Sequence, residues 1–206
     1  MMKKLLLGIA AIVSLGLMSC NERADLAKSV EGTWSGAPVM LANNAEGDFT
    51  VIDTYTFTVD KTGEGGTLMI TGMVNGTVPS SHFALSLDQP VSTSVSGRTS
   101  VTASWRAIDD DDISVMVDPE SFTVTVDPVE MVLTSNVITD ATENTPENLS
   151  AAAMKKVEDS FRKVIMPHYM ELTHMDDVKV KNGDYLKFEV GKKDFSLMRQ
   201  QAAVAE

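Results

Sequence analysis

The chain has 206 residues, with 17 Lys and Arg against 29 Asp and Glu, a formal net charge of −12 at pH 7. A surface this acidic repels phosphate backbones and anionic headgroups, which argues against nucleic acid as a partner. With 43% apolar residues and a single cysteine, the fold must rest on a hydrophobic core without an intrachain disulfide.

The chain opens Met1-Met2-Lys3-Lys4, runs apolar from Leu5 to Met18 and then reads Ser19-Cys20. A basic start, an apolar run too short for the roughly 20 residues of a spanning helix, and a small residue before the break describe a secretory signal. The segment Leu17-Met18-Ser19-Cys20 resembles the lipobox of bacterial lipoproteins. That resemblance implies cleavage before Cys20 and several acyl chains on Cys20, enough for permanent anchoring to a membrane. Asn21, where an Asp would favour the inner membrane, implies an outer-membrane lipoprotein, on either the periplasmic or the cell-surface face. Residues 1–19 are thus expected as signal peptide, 20–29 as lipidated cysteine and spacer, 30–199 as one domain and 200–206 as a frayed tail. Loss of residues 1–19 removes Lys3 and Lys4 and no acid, leaving a mature charge of about −14.

After a short helix-like lead-in from Ala24 to Ser29, Trp34 stands between Gly32 and Gly36. Glycine inside a strand marks a bend or a close backbone approach, so this strand is expected to curve at the closed end of a barrel, with Trp34 as its plug. A turn-rich connection, Ala37 to Asp48, follows. From Val51 to Asp60 the pattern has period two: Val51, Tyr55, Phe57 and Val59 share one face, and Thr54, Thr56 and Thr58 the other. The turn Lys61 to Gly66 leads to a strand from Thr67 to Val74, ended by Asn75-Gly76, a hairpin signal. Further strands are expected at His82–Asp88, with Phe83, Leu85 and Leu87 aligned, and at Thr99–Ala107, with Val101, Ala103 and Trp105 aligned. Asp109–Asp112 and Asp118-Pro119-Glu120 bracket a short strand, Ile113–Val117, and Phe122–Val126 and Val129–Thr134 follow. Regularly spaced short strands indicate a barrel or a sandwich.

One segment breaks this period. Thr145 as N-cap and Pro146 at the first helical position start a helix over roughly 145–166. Leu149, Ala153, Val157, Phe161, Val164 and Ile165 form its apolar stripe, opposite Lys155, Lys156, Glu158, Asp159, Arg162 and Lys163. Pro167 is expected to end or kink it. Val178–Lys181, Tyr185–Val190 and Asp194–Arg199 then read as strands, joined by Asn182-Gly183-Asp184 and Gly191-Lys192.

Gly32-Thr33-Trp34 in the first strand and Phe195-Ser196-Leu197-Met198-Arg199 in the last resemble the lipocalin-like lipoproteins of the bacterial envelope, within the calycin group. Between these ends, as at Ser104-Trp105-Arg106-Ala107, the likeness is one of pattern. The resemblance implies a mostly β protein: an antiparallel up-and-down barrel of about eight to ten strands with one amphipathic helix before the last strands. The alternative is an open β-sandwich. It also implies barrel closure by a cation–π contact between Trp34 and Arg199.

Several residue groups invite chemical readings. Asp109 to Asp112 falls short of a calcium loop, because Ile113 and Ser114 occupy the fifth and sixth positions, and reads as a solvated turn. His168, Glu171 and His174 drift around a helix after a proline and read as surface or capping residues. Gly-x-Ser-x-Gly is absent, and Ser92 to Ser100 reads as sheet surface. Met69, Met73, Met116 and Met131 read as core filling rather than ligand contact. No catalytic residue, cofactor or metal ligand is expected. Tyr55, Phe57, Phe83, Trp105 and Phe122 would line the lumen and receive a small apolar or amphipathic ligand. The alternatives are a filled barrel acting as a structural or interaction module for an envelope partner, and an inhibitor of a hydrolase.

Overall fold

Alternation of apolar with hydroxyl side chains builds the long strands of this protein, and a computed structural model describes residues 22–43, 45–79, 92–127 and 146–200. Helix α1 covers 22–30. The strands are β1 (Gly32–Ser35), β2 (Val39–Asn43), β3 (Gly47–Val59), β4 (Gly65–Pro79), β5 (Ser92–Ala107) and β6 (Ile113–Val126). Helix α2 (Pro146–Met170) precedes β7 (His174–Lys181), β8 (Tyr185–Val190) and β9 (Lys193–Arg199). In β3 the residues Phe49, Val51, Tyr55 and Phe57 are buried between half-exposed or exposed threonines, so one face of a pleated strand meets the core and the other meets water.

The sheet closes on itself. Its order is β1-β9-β8-β7-β6-β5-β4-β3-β2, and β1 also pairs with β3, all antiparallel. Eight strands form the barrel and β2 is an extra one. The sandwich alternative is therefore excluded. β1 and β2 lie along the same side of β3, opposite residues 54–57 and 47–51 respectively. They amount to one strand broken at Gly36–Pro38, where the Gly36 amide donates to Asp53 O at 2.8 Å.

The wall is uneven, and this decides where the helix goes. β3 to β6 run 13 to 16 residues, whereas β7, β8 and β9 have 8, 6 and 7. Beyond the short strands the long ones form a trough, and α2 lies in it. Val157, Phe161, Ile165 and Tyr169, spaced at four, are buried as one stripe. Phe161 meets Phe49 edge to face at 5.0 Å, and Arg162 sits over the Phe122 ring while donating to Phe122 O at 3.1 Å. Glu46, in the β2–β3 turn, clasps the helix from outside through Lys163 at 2.6 Å and Ser160 at 2.9 Å.

Four local expectations are corrected. Asn75-Gly76 lies inside β4, paired with Thr50 and Phe49 of β3, and makes no turn; a Cβ at Gly76 would stand 2.7 Å from Phe49 Cδ1, so the glycine serves packing. Asp118-Pro119-Glu120 does not separate two strands but forms a bulge within β6, where the register moves from Ser100↔Thr123 to Thr102↔Asp118 and Ser121 Oγ accepts the Thr102 amide at 2.9 Å. Of the two effects expected of Pro167, ending the helix is the one corrected, since α2 runs on through it to Met170. Met69, Met73 and Met116 are 42%, 60% and 72% exposed, because they take the outward positions between buried Leu68, Ile70, Val74, Ile113 and Val115. His82–Asp88 with Phe83, Val129–Thr134 with Met131, Thr145, Cys20 and the tail beyond Gln200 lie outside the described residues.

Candidate functional site

The barrel has one pinned end. Trp34 is fully buried, its Nε1 donates to Val30 O at 2.7 Å, and Arg199 stacks on its ring with Cζ 4.0 Å from the centroid. Register brings them together, since Trp34 and Arg199 are cross-strand partners of β1 and β9. The guanidinium also donates to three backbone carbonyls: Nε to Gly183 O at 2.6 Å, Nη1 to Glu31 O at 3.0 Å and Nη2 to Ser29 O at 3.2 Å. Carbonyls at the C-terminal end of α1 carry partial negative charge, so a cation belongs there. Gly32 has φ +121°, and a Cβ on it would stand 2.7 Å from Arg199 Nη1. A side chain there would be strained and would displace the arginine.

The interior holds a polar cluster on an otherwise apolar wall. Asp53, 3% exposed, stands in the inward row of β3 between Val51 and Tyr55. Tyr169, from the last turn of α2, donates to Asp53 Oδ1 at 2.8 Å, and His168 Nε2 lies 3.1 Å from Oδ2. A carboxylate only accepts, so Nε2 carries the ring proton in this contact. Tyr169 has one proton and gives it to Asp53; the Thr99 hydroxyl, 2.8 Å away, therefore donates to the Tyr169 oxygen. Burial, and then the Asp53 charge, push the hydroxyls of both Tyr169 and Tyr55 well above the usual phenol range. They stay neutral. Gly72 of β4 makes the room: a Cβ there would stand 2.5 Å from the Tyr169 hydroxyl, 2.6 Å from Thr99 Oγ1 and 2.8 Å from Val51 Cγ2. A Cβ at Gly97 of β5 would likewise meet Phe161 Cε2 at 2.8 Å.

His168 is thus no surface or capping residue: its side chain is 11% exposed, and the last turn of α2, which carries it just past Pro167, is seated on Asp53. Glu171 does lie at the surface, paired with Lys193 at 2.7 Å, which holds its carboxyl below the usual range. Near this pair Tyr55, His168, Tyr169, Leu172, Val190 and Phe195 border a recess whose free space, about 20 Å³, admits one or two water molecules.

Of the aromatics expected in a lumen, the four described, Tyr55, Phe57, Trp105 and Phe122, are buried, and each packs against another ring. Phe57 and Trp105 pack edge to face at 5.5 Å, Phe122 contacts Tyr169 at 6.0 Å, and Tyr55, which contacts Phe188 at 6.4 Å, borders the recess. Asp53 is the residue that pattern reading missed; an acid in the apolar row of a period-two strand was its signal. Comparison with known proteins gives no matching family model, no similar curated protein and no similar solved structure. Among the described residues no helix is long and apolar enough to cross a membrane.

Proposed function

We propose that this chain is a lipid-anchored protein of the bacterial cell envelope whose barrel is a solid scaffold, acting through its outer surface on an envelope partner rather than as a cup for a small apolar ligand. The observation that carries this reading is the seating of α2: Phe161 and Tyr169 fill space that Gly72 and Gly97 leave open for them, and the Asp53 carboxylate takes hydrogen bonds from two residues of that helix. Withdrawing the helix to admit a ligand would strand a buried carboxylate, at a cost of about 3–5 kcal/mol. The outer face supports the same reading. Met40, Met69, Met73, Met116 and Met198 are all exposed there, and methionine suits adaptable protein-binding surfaces.

The anchor rests on the lipobox at Cys20, and the outer membrane on Asn21. The test is native mass spectrometry of the protein extracted from membranes, with crosslinking in intact cells. The protein is expected to carry no noncovalent lipid and to crosslink through the outer surface of the barrel wall. A stoichiometric noncovalent lipid would restore the ligand cup. Release of a Cys20→Ala variant into the soluble fraction is expected; retention in the membrane would remove the anchor.

A further inference from the structure

The β6–β7 seam consists of two residue pairs, Ile113↔Met175 and Ser114↔His174, on a barrel whose longer seams have ten or more. Three metal-ligating side chains straddle it. Asp112 stands just before β6, His174 opens β7 and Asp176 follows two residues later on the same strand. One ligand atom from each lies within 4.8 Å of the other two, and all three residues are partly buried. His174 Nε2 is 2.6 Å from Asp176 Oδ1, so the imidazole already turns a nitrogen into the cluster.

The surroundings are short of positive charge. Asp109, Asp110 and Asp111 lead directly into Asp112, and Asp177 follows Asp176, so further carboxylates flank the cluster on both segments. Lys179, a nearby cation, is committed to Asp177 at 3.0 Å. The backbone holds the ligand-bearing segments in place: the Ile108 amide donates to Asp112 O at 2.8 Å and the Val178 amide to Asp111 O at 2.8 Å.

The geometry points to a divalent transition-metal site at Asp112, His174 and Asp176 that clips β7 to β6. One imidazole nitrogen with two carboxylate oxygens suits zinc or manganese, whereas calcium takes oxygen alone. Ligand atoms around such an ion stand about 3.5 Å apart, a contraction that side chains only partly buried can make. The ion replaces the hydrogen bond between His174 and Asp176, and water completes its coordination.

The test uses the full chain, stripped with EDTA and titrated with Zn²⁺, Mn²⁺ and Ca²⁺. One equivalent of Zn²⁺ or Mn²⁺ is expected to bind and to raise Tm by several degrees at saturation, with Ca²⁺ ineffective. Asp112→Asn and His174→Ala are expected to abolish both effects. A readout independent of variant folding is paramagnetic broadening by substoichiometric Mn²⁺ in NMR spectra of the unmodified protein. Of its three histidines, His174 is expected to broaden first. No binding at millimolar metal, binding unchanged in Asp112→Asn, or earlier broadening of His82 or His168 would overturn the site.

Discussion

Tyr169 donates its hydroxyl proton to Asp53 across 116 residues of chain, at 2.8 Å, and this bond joins the helix to the barrel wall. With His168 on its second oxygen, Asp53 has a donor on each side, which is what a carboxylate 3% exposed requires.

Tyr169→Phe keeps the ring and deletes that donor. Leaving Asp53 under-satisfied costs about 1–3 kcal/mol, and urea denaturation is expected to show it as a lower midpoint with an unchanged slope.

Burial of Tyr169 and Tyr55, and then the charge of Asp53, set an alkaline limit. The Tyr169 and Tyr55 hydroxyls are raised in the folded state above their ordinary value of 10.0. The folded protein therefore keeps these protons while the unfolded chain releases them. Their contribution is complete below pH ~10 and declines as pH rises beyond it. Thermal melts from pH 8 to 11 should show the decline, and Tyr169→Phe should flatten it. An equal slope in both proteins would sink this account.

Gly72→Ala sets a methyl group 2.5 Å from the Tyr169 hydroxyl. Overpacking of this kind costs about 1–3 kcal/mol. Because Phe at that helix position lacks the colliding oxygen, Gly72→Ala and Tyr169→Phe should combine to less than the sum of their separate effects. A double-mutant cycle measures the difference.

Arg199→Lys retains the charge but not the planar fork that serves Ser29, Glu31 and Gly183 while stacking on Trp34. Amide exchange in α1 is expected to accelerate, because that helix is fastened at its C-terminal end by these bonds. Overall stability should fall by about 0.5–2 kcal/mol, the magnitude of a cation–π contact, since the carbonyls it leaves are exposed or only partly buried and can turn to water.

Among the methionines, position decides cost. Met73→Ala, at a site 60% exposed, should change stability by no more than about 0.5 kcal/mol. Met175→Ala, fully buried, should cost about 2–5 kcal/mol. Mild peroxide should accordingly oxidise Met73 and Met116 before Met175, as peptide mass spectrometry would show.

The strand character of most of the chain, the amphipathic helix and the closing place of Trp34 were legible in the sequence, whereas its pairing with Arg199 came only as what the resemblance to lipocalin-like lipoproteins implies. Alternation, helical spacing and a tryptophan between glycines are local patterns imposed by backbone geometry. Other features emerged only on folding. In Thr67-Leu68-Met69-Ile70-Thr71 three apolar residues run together, and only the pairing of β4 with β3 and β5 turns Met69 outward. Asn75-Gly76 has turn chemistry, yet pairing on both sides with the long neighbouring strands carries β4 straight through it. Asp53, His168, Tyr169, Thr99 and Gly72 come from four separate elements and are joined only when α2 settles into the trough left by short β7, β8 and β9. Spacing along a chain tells which residues share a face; which faces meet is fixed by strand length, closure and the volume that remains to be filled.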